Sequence, residues 1–380
     1  MATSWASADW LRRFRCQQVA DRRPARIAAL RESLTAAHID GLVLTSLPNV
    51  RYLTGFSGTS ALVLVTQRDL HFITDFRYDT QVRDEVGDIA TVRIEQMSLW
   101  TGLWALASSL SSLEVIGFES GHLLHRDFQR LLTDGTRWQW RPQVNLVEAL
   151  RESKDAGEVA LIRRAGEMAI TALKKTLKEV RPGLTELNVA GILEKALRDE
   201  GSEDFPFATI VASGPRAALP HARASSRVIE KGDLLLMDFG AQYNGYCSDV
   251  TRTVVIGKAS DEQRAIYEIV RHANAVASKS VRAGMKGQDA DGLARRYIED
   301  RGYGDAFGHS LGHGLGLEVH EAPRLAKTVE TPLGEGAVVT IEPGIYRPGW
   351  GGVRIEDDVH LSSSGPEILT DFTRELLEVA

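Results

Sequence analysis

The chemistry this chain can do is concentrated in four acids carried on two similar stretches. Lys231-Gly232-Asp233-Leu234-Leu235-Leu236-Met237-Asp238-Phe239-Gly240 and Glu335-Gly336-Ala337-Val338-Val339-Thr340-Ile341-Glu342-Pro343-Gly344 share one pattern: a charged residue and glycine, an apolar run, then acid-x-Gly. The acid comes six residues after the first glycine in each, and a second acid follows beyond a turn, Asp249 in the first copy and Glu356 in the second. A carboxylate on a β-prone segment ordinarily faces solvent. Its recurrence makes a weak internal repeat and implies two β-hairpins facing each other, with Asp238, Asp249, Glu342 and Glu356 pooled between them. Carboxylates so gathered repel unless protonated or neutralised by cations, and a pair of divalent metal ions is the simplest neutraliser.

Register sharpens the expectation. Asn244-Gly245 between β-prone runs signals a two-residue hairpin turn. Centring the turn there sets Asp238 opposite Thr251, with Asp249 the diagonal neighbour on the same face. Between the two hairpins lies a loop, Gly308-His309-Ser310-Leu311-Gly312-His313-Gly314-Leu315-Gly316-Leu317-Glu318-Val319-His320-Glu321, whose three histidines sit among glycines that let backbone approach a crowded site. A further histidine, His221, sits in Leu219-Pro220-His221-Ala222. His38, His71, His122, His125, His272 and His360 belong to no such group and read as ordinary surface or core histidines.

At 380 residues the chain can build one large or two ordinary domains. Its 43% hydrophobic and 25% charged content is that of a soluble globular protein. A net charge of -6 gives no electrostatic reason to expect nucleic acid or an anionic membrane surface as partner. Cys16 and Cys247, far apart, suggest a reducing compartment without a disulfide framework, and Cys247 reads as a packing residue beside the acidic strand. No apolar run approaches the length of a membrane span, and the start lacks the apolar core of a secretory signal. Six arginines within residues 1–26 would suit an amphipathic targeting segment, but a surface helix or frayed extension is the preferred reading. The expected location is cytoplasmic.

The elements that must position these residues are legible in outline. Strand-like runs at 41–45, 61–65, 70–74, 91–94 and 113–118 alternate with helical periodicity at 26–39, from Asp79, and at 100–110, with a turn-rich stretch at 52–58. Such alternation argues an α/β layer. Near Pro142 to Val147 the pattern changes. A long amphipathic helix over 154–178 is ended by Pro182-Gly183, and Thr185 can cap the next, over 186–200. Strands return at 209–212 and 234–237, followed by helices at 261–283 and 288–301. The expected fold class is α/β (α+β), divided near residue 150 into domains at 1–150 and 151–380.

In their local contexts these residues resemble the pita-bread metallopeptidases, which include Xaa-Pro aminopeptidase, Xaa-Pro dipeptidase (prolidase) and methionine aminopeptidase. The resemblance is to the Xaa-Pro branch and covers nearly the whole chain. It runs through the Pro-His element, Asp238-Phe239-Gly240-Ala241, Ser248-Asp249-Val250-Thr251-Arg252-Thr253, the histidine-rich loop and both glutamate segments. In the N-terminal half it rests on Asn49-Val50-Arg51-Tyr52-Leu53-Thr54-Gly55-Phe56 and Ile73-Thr74-Asp75-Phe76-Arg77-Tyr78. It implies a creatinase/prolidase-like α/β domain followed by a pita-bread domain with a pseudo-twofold repeat. It implies further that Asp238 and Asp249 bind one metal, that His313 and Glu342 help bind the other, and that Asp249 and Glu356 are shared. His221, His309 and His320 would line the site, Arg354 would hold a site acid or the substrate, and Tyr346 would lie beside it. A homodimer is also expected from the resemblance.

The implied reaction is metal-assisted hydrolysis of the bond between an N-terminal residue and proline in a small peptide. Mostly oxygen ligands with one imidazole suit a hard-to-borderline ion, manganese first, with cobalt or zinc able to substitute. Two such ions roughly 3.5–4 Å apart can bridge and acidify one water. The hydroxide would attack the carbonyl carbon before proline. A protonated His320 or His221 would stabilise the oxyanion, a role worth about 3 kcal/mol. Glu342 would pass the water proton to the leaving nitrogen. A dipeptidase needs a cap and a positive group for the proline carboxylate, for which Arg51 and Arg77 are candidates. With no clear closing element in the sequence, the aminopeptidase is favoured. Two other classes fit less well: creatinase-like C–N cleavage without metal, which lacks the acidic set, and a silent binding module of the histone-chaperone kind, which loses ligands and gains acidic tails.

Overall fold

The computed structural model describes residues 21–380; Cys16 and the first part of the arginine-rich start lie outside the described residues. The chain forms two compact units, one ending at Val144 and the other spanning Asn145–Ala380.

The first unit is built on a six-stranded sheet, in the order Thr91–Glu95, Leu70–Asp75, Leu62–Thr66, Gly41–Leu44, Val115–Glu119, Gln139–Gln143. The three strands between Gly41 and Asp75 pair antiparallel, and the remaining neighbours pair parallel. Val43, Leu64, Ile73 and Ile116 pack with Leu103 of the helix Leu99–Ser109 and with Trp138 in one apolar cluster. Two elements differ from the sequence reading. Part of the turn-rich stretch is a helix, Leu47–Thr54, stopped by Gly55 at φ 81. Eight residues are too few to display a helical period. Gln139–Gln143 is a strand at the edge of the sheet. It holds Pro142 and no apolar run, and its parallel pairing to Val115–Glu119 defines it.

The second unit repeats one plan. Helices Ala156–Thr176 and Glu186–Asp199 pack on a four-stranded sheet through Leu173, Leu193, Leu235, Met237 and Val254. Helices Asp261–Ser280 and Gly287–Glu299 pack on a five-stranded sheet through Ile266, Val270, Ala294, Val339 and Val359. Asp155, Thr185 and Ser260 start three of the four helices with reciprocal side-chain caps.

Each sheet contributes the base of one hairpin. In the aspartate hairpin, Leu234–Phe239 pairs with Val250–Ile256 and sets Asp238 opposite Thr251, the register the Asn-Gly turn predicts. That register continues through Tyr243 and Tyr246 to Asn244 and Gly245, both at positive φ (47 and 78), as a tight primed turn requires. In the glutamate hairpin, Val338–Ile341 pairs with Asp357–Ser362 and Gly344–Arg347 with Gly351–Arg354. Both ladders keep one register, which carries Glu342 across from Glu356. They belong to different sheets, with the break at Glu342-Pro343.

The histidine run departs from the expected loop. Gly312–Gly314 is a short strand between Glu321–Leu325 and Val338–Ile341. A Cβ at position 312 would stand 1.9 Å from Thr340 O, and one at 314 would stand 2.1 Å from Ala322 O. Only glycine permits this approach, and it puts His313 in the sheet interior. Cys247 is buried, and burial pushes its thiol up to about 12, so it packs and does not react. Among the described residues no helix is long and apolar enough to cross a membrane.

Candidate metal centre

The two hairpins meet along their inner strands. Glu356 N–H donates to Thr251 O at 3.1 Å, and Thr251 Oγ1 donates to Glu356 Oε2 at 2.6 Å. Thr253 Oγ1 accepts from Arg354 N–H at 3.1 Å and donates to Arg354 O at 3.0 Å. Asp249 N–H donates to Asp358 Oδ2 at 3.0 Å. These bonds bring Asp238, Asp249, Glu342 and Glu356 into the wall of one cavity of about 530 Å³, which His221, His309, His313, His320 and Arg354 also line.

Asp249, His313 and Glu356 each present a ligand atom within 4.8 Å of the other two. His313 Nε2 lies 3.8 Å from Asp249 Oδ2 and 3.5 Å from Glu342 Oε1. His313 Nδ1 lies 3.0 Å from Gly314 O, which assigns the proton to Nδ1 and turns the Nε2 lone pair toward the acids. Burial pulls His313 down to about 4, so the ring is neutral.

The acids carry the marks of missing positive charge. Asp238 Oδ1 and Asp249 Oδ1 are buried without a hydrogen-bond partner. Burial, then Glu356, holds Asp249 well above the usual carboxylate range, and burial, then Glu342, does the same to Glu356. Burial pushes Glu342 up to about 8. Partnerless carboxylate oxygens beside a neutral imidazole are the donor set of a divalent cation, and these residues fit one.

A second tier of contacts holds this set. Arg354 pairs with Asp238 Oδ2 and donates through Nε to Thr251 Oγ1 at 3.0 Å and through Nη1 to Tyr346 Oη at 2.9 Å. Burial opposes the Arg354 charge, but Tyr346 and the acids outweigh it and raise its pKa. Tyr346 Oη lies 2.9 Å from His309 Nε2, behind the cavity lining. Burial pushes Tyr346 up to about 12 and pulls His309 down to about 4. Partial burial also lowers His320, against the protonated form expected of it. The segment carrying His221 is tied down by buried Glu186, which accepts Ser213 N–H at 2.8 Å and Ser225 N–H at 3.0 Å.

Arg324 and Arg223 line the cavity and were not singled out from the sequence. Arg324 lies opposite His313 across the Gly312–Gly314 pairing, a relation that spacing along the chain does not reveal. Arg77, a sequence candidate for binding a carboxylate, pairs with Asp75 at 2.8 Å in the first unit.

Residues 160–363 match the metallopeptidase family M24, and residues 26–153 match the creatinase/prolidase N-terminal domain. Over 339 residues the chain is 37% identical to the Xaa-Pro dipeptidase of Pyrococcus furiosus, covering 89% of this chain and 95% of that protein. Among solved structures, an Xaa-Pro dipeptidase from Bacillus anthracis superposes with a TM-score of 0.91 at 40% identity, covering 94% of this chain and 100% of that one. The X-Pro aminopeptidase from Thermotoga maritima superposes with a TM-score of 0.86 at 38% identity, covering 93% and 99%.

Proposed function

The chain belongs to metallopeptidase family M24 and is a hydrolase of the pita-bread fold; from that premise we propose that it cleaves the bond between an N-terminal residue and proline. The observation that carries the reading is the pooled set Asp238, Asp249, His313, Glu342 and Glu356, with two buried acid oxygens lacking any partner. These residues would hold two divalent cations, manganese first, with cobalt or zinc as substitutes. Bound divalent cations supply Lewis acidity and a nucleophile drawn from water near neutral pH.

The protein's own groups do the rest. With cations bound, Glu342 would be held as the carboxylate, the form that can take a proton from water and release it to the departing proline nitrogen. His320 and His221 offer ring N–H donors to the oxyanion, His320 in its neutral form. Arg354, part of the cavity lining, holds Asp238 and Tyr346 in place, and Tyr346 in turn orients His309.

For substrate length, Arg324 and Arg223 favour a dipeptidase, because they supply within the cavity the cation a proline carboxylate needs. This reverses the preference drawn from the sequence. The test compares an Xaa-Pro dipeptide with an Xaa-Pro-containing tripeptide on manganese-loaded protein. Turnover of the dipeptide alone supports the reading, and equal or faster turnover of the tripeptide replaces it with the aminopeptidase. Failure on both by protein that has taken up manganese removes the Xaa-Pro assignment. A homodimer and a cytoplasmic location complete the proposal, checked by light scattering and by cell fractionation.

A further inference from the structure

Pro343 sits inside the glutamate hairpin, where a backbone donor is needed. Ile355 N–H donates to Pro343 O at 3.4 Å. In an antiparallel ladder the two residues of such a pair exchange both bonds, but proline has no N–H to return to Ile355 O. Residues 342, 343, 355 and 356 fall outside both ladders. Beyond that one bond the segments carrying Glu342 and Glu356 do not pair with each other at the site; the Glu342 N–H goes to Leu311 O at 2.9 Å and the Glu356 N–H to Thr251 O at 3.1 Å. Asn274, fully buried on the helix Asp261–Ser280, reaches this break. Its Nδ2 donates to Ile355 O at 3.1 Å and to Ile341 O at 2.9 Å. These carbonyls belong to the residues directly before Glu356 and Glu342. Two carbonyl acceptors also decide which way the amide points, since its own oxygen would be repelled there.

We propose that Asn274 is a positioning residue of the metal centre: its amide supplies the bond Pro343 cannot and ties the two glutamate segments at one separation. The inference rests on the metal centre proposed above. Asn274 is not among the residues lining the cavity, so substrate contacts are left alone.

The test is Asn274→Leu, similar in volume but without the amide. It is titrated with Mn2+ by calorimetry beside wild type, and hydrogen exchange of both metal-free proteins is followed across residues 338–357. Manganese affinity should fall about 10–100-fold, the usual loss when the outer partner of a ligand is removed. KM for an Xaa-Pro dipeptide should hold, kcat should recover as manganese is raised, and faster exchange should be confined to the two glutamate segments. Pro343→Ala restores an N–H facing Ile355 O, so the double variant should regain part of the affinity, a coupling that packing alone would not produce. A wild-type-like isotherm and exchange pattern in N274L, or losses that simply add in the double variant, overturn the clamp. Wild-type protein that binds no manganese, cobalt or zinc removes the metal centre itself, and the clamp with it. Should N274L not fold, Asn274→Ser, with a shorter donor, is titrated in its place, and an unchanged isotherm there also overturns the proposal.

Discussion

Replacing Glu342 with glutamine should stabilise the metal-free protein while abolishing turnover. Burial pushes the Glu342 carboxyl from its ordinary 4.5 to about 8. Between those values the unfolded chain has released its proton and the folded chain has kept it. The unfolded state then binds fewer protons, so stability falls as pH rises. Each unit of displacement is worth about 1.36 kcal/mol, and roughly 2.5 units separate the ordinary value from neutral pH, which makes about 3 kcal/mol. Glutamine is isosteric and neutral, and its oxygen can still accept from Thr340 Oγ1, which lies 3.3 Å from the carboxylate. Chelator-treated wild type and E342Q, unfolded in urea between about pH 4 and pH 8, should coincide at the acid end and differ by about 3 kcal/mol near neutrality, E342Q being the more stable. Saturating manganese should reverse the order, because ligand binding to the native state stabilises wild type and is lost in the variant. A difference that is flat in pH, or a metal-free E342Q less stable than wild type at neutral pH, refutes the view of Glu342 as an uncompensated buried acid.

Arg354→Lys keeps the charge but cannot meet Asp238, Thr251 and Tyr346 together, so kcat/KM should fall by roughly a hundredfold with circular dichroism unchanged. Thr251→Val removes the hydroxyl that joins Arg354 to Glu356 and should lower stability by about 1–3 kcal/mol in urea, whereas Thr251→Ser should keep most of it. Gly312→Ala drives a methyl against the Thr340 carbonyl and should destabilise by about 3 kcal/mol or more, read as a lower melting temperature with metal uptake reduced. His320→Ala should lose turnover of an Xaa-Pro dipeptide while eluting and melting as wild type does.

Much of the site is legible along the chain because its signals are local. The Asn244-Gly245 turn alone specifies the register that pairs Asp238 with Thr251, since both residues accept positive φ and the strands on either side follow. The recurring charged-Gly, apolar, acid-x-Gly pattern marks both hairpins for the same reason: each pattern lies within ten residues. Asp155, Thr185 and Ser260 likewise start their helices through contacts three residues away. The tertiary structure decides what depends on distant neighbours. Three residues around His313 become a strand only because Thr340 and Ala322 close on its two glycines. Arg324 reaches the cavity through a cross-strand pairing, and Asn274 meets carbonyls 67 and 81 residues away. The neutral state of His313 and the raised acids follow from burial, which the whole fold imposes and no short stretch encodes.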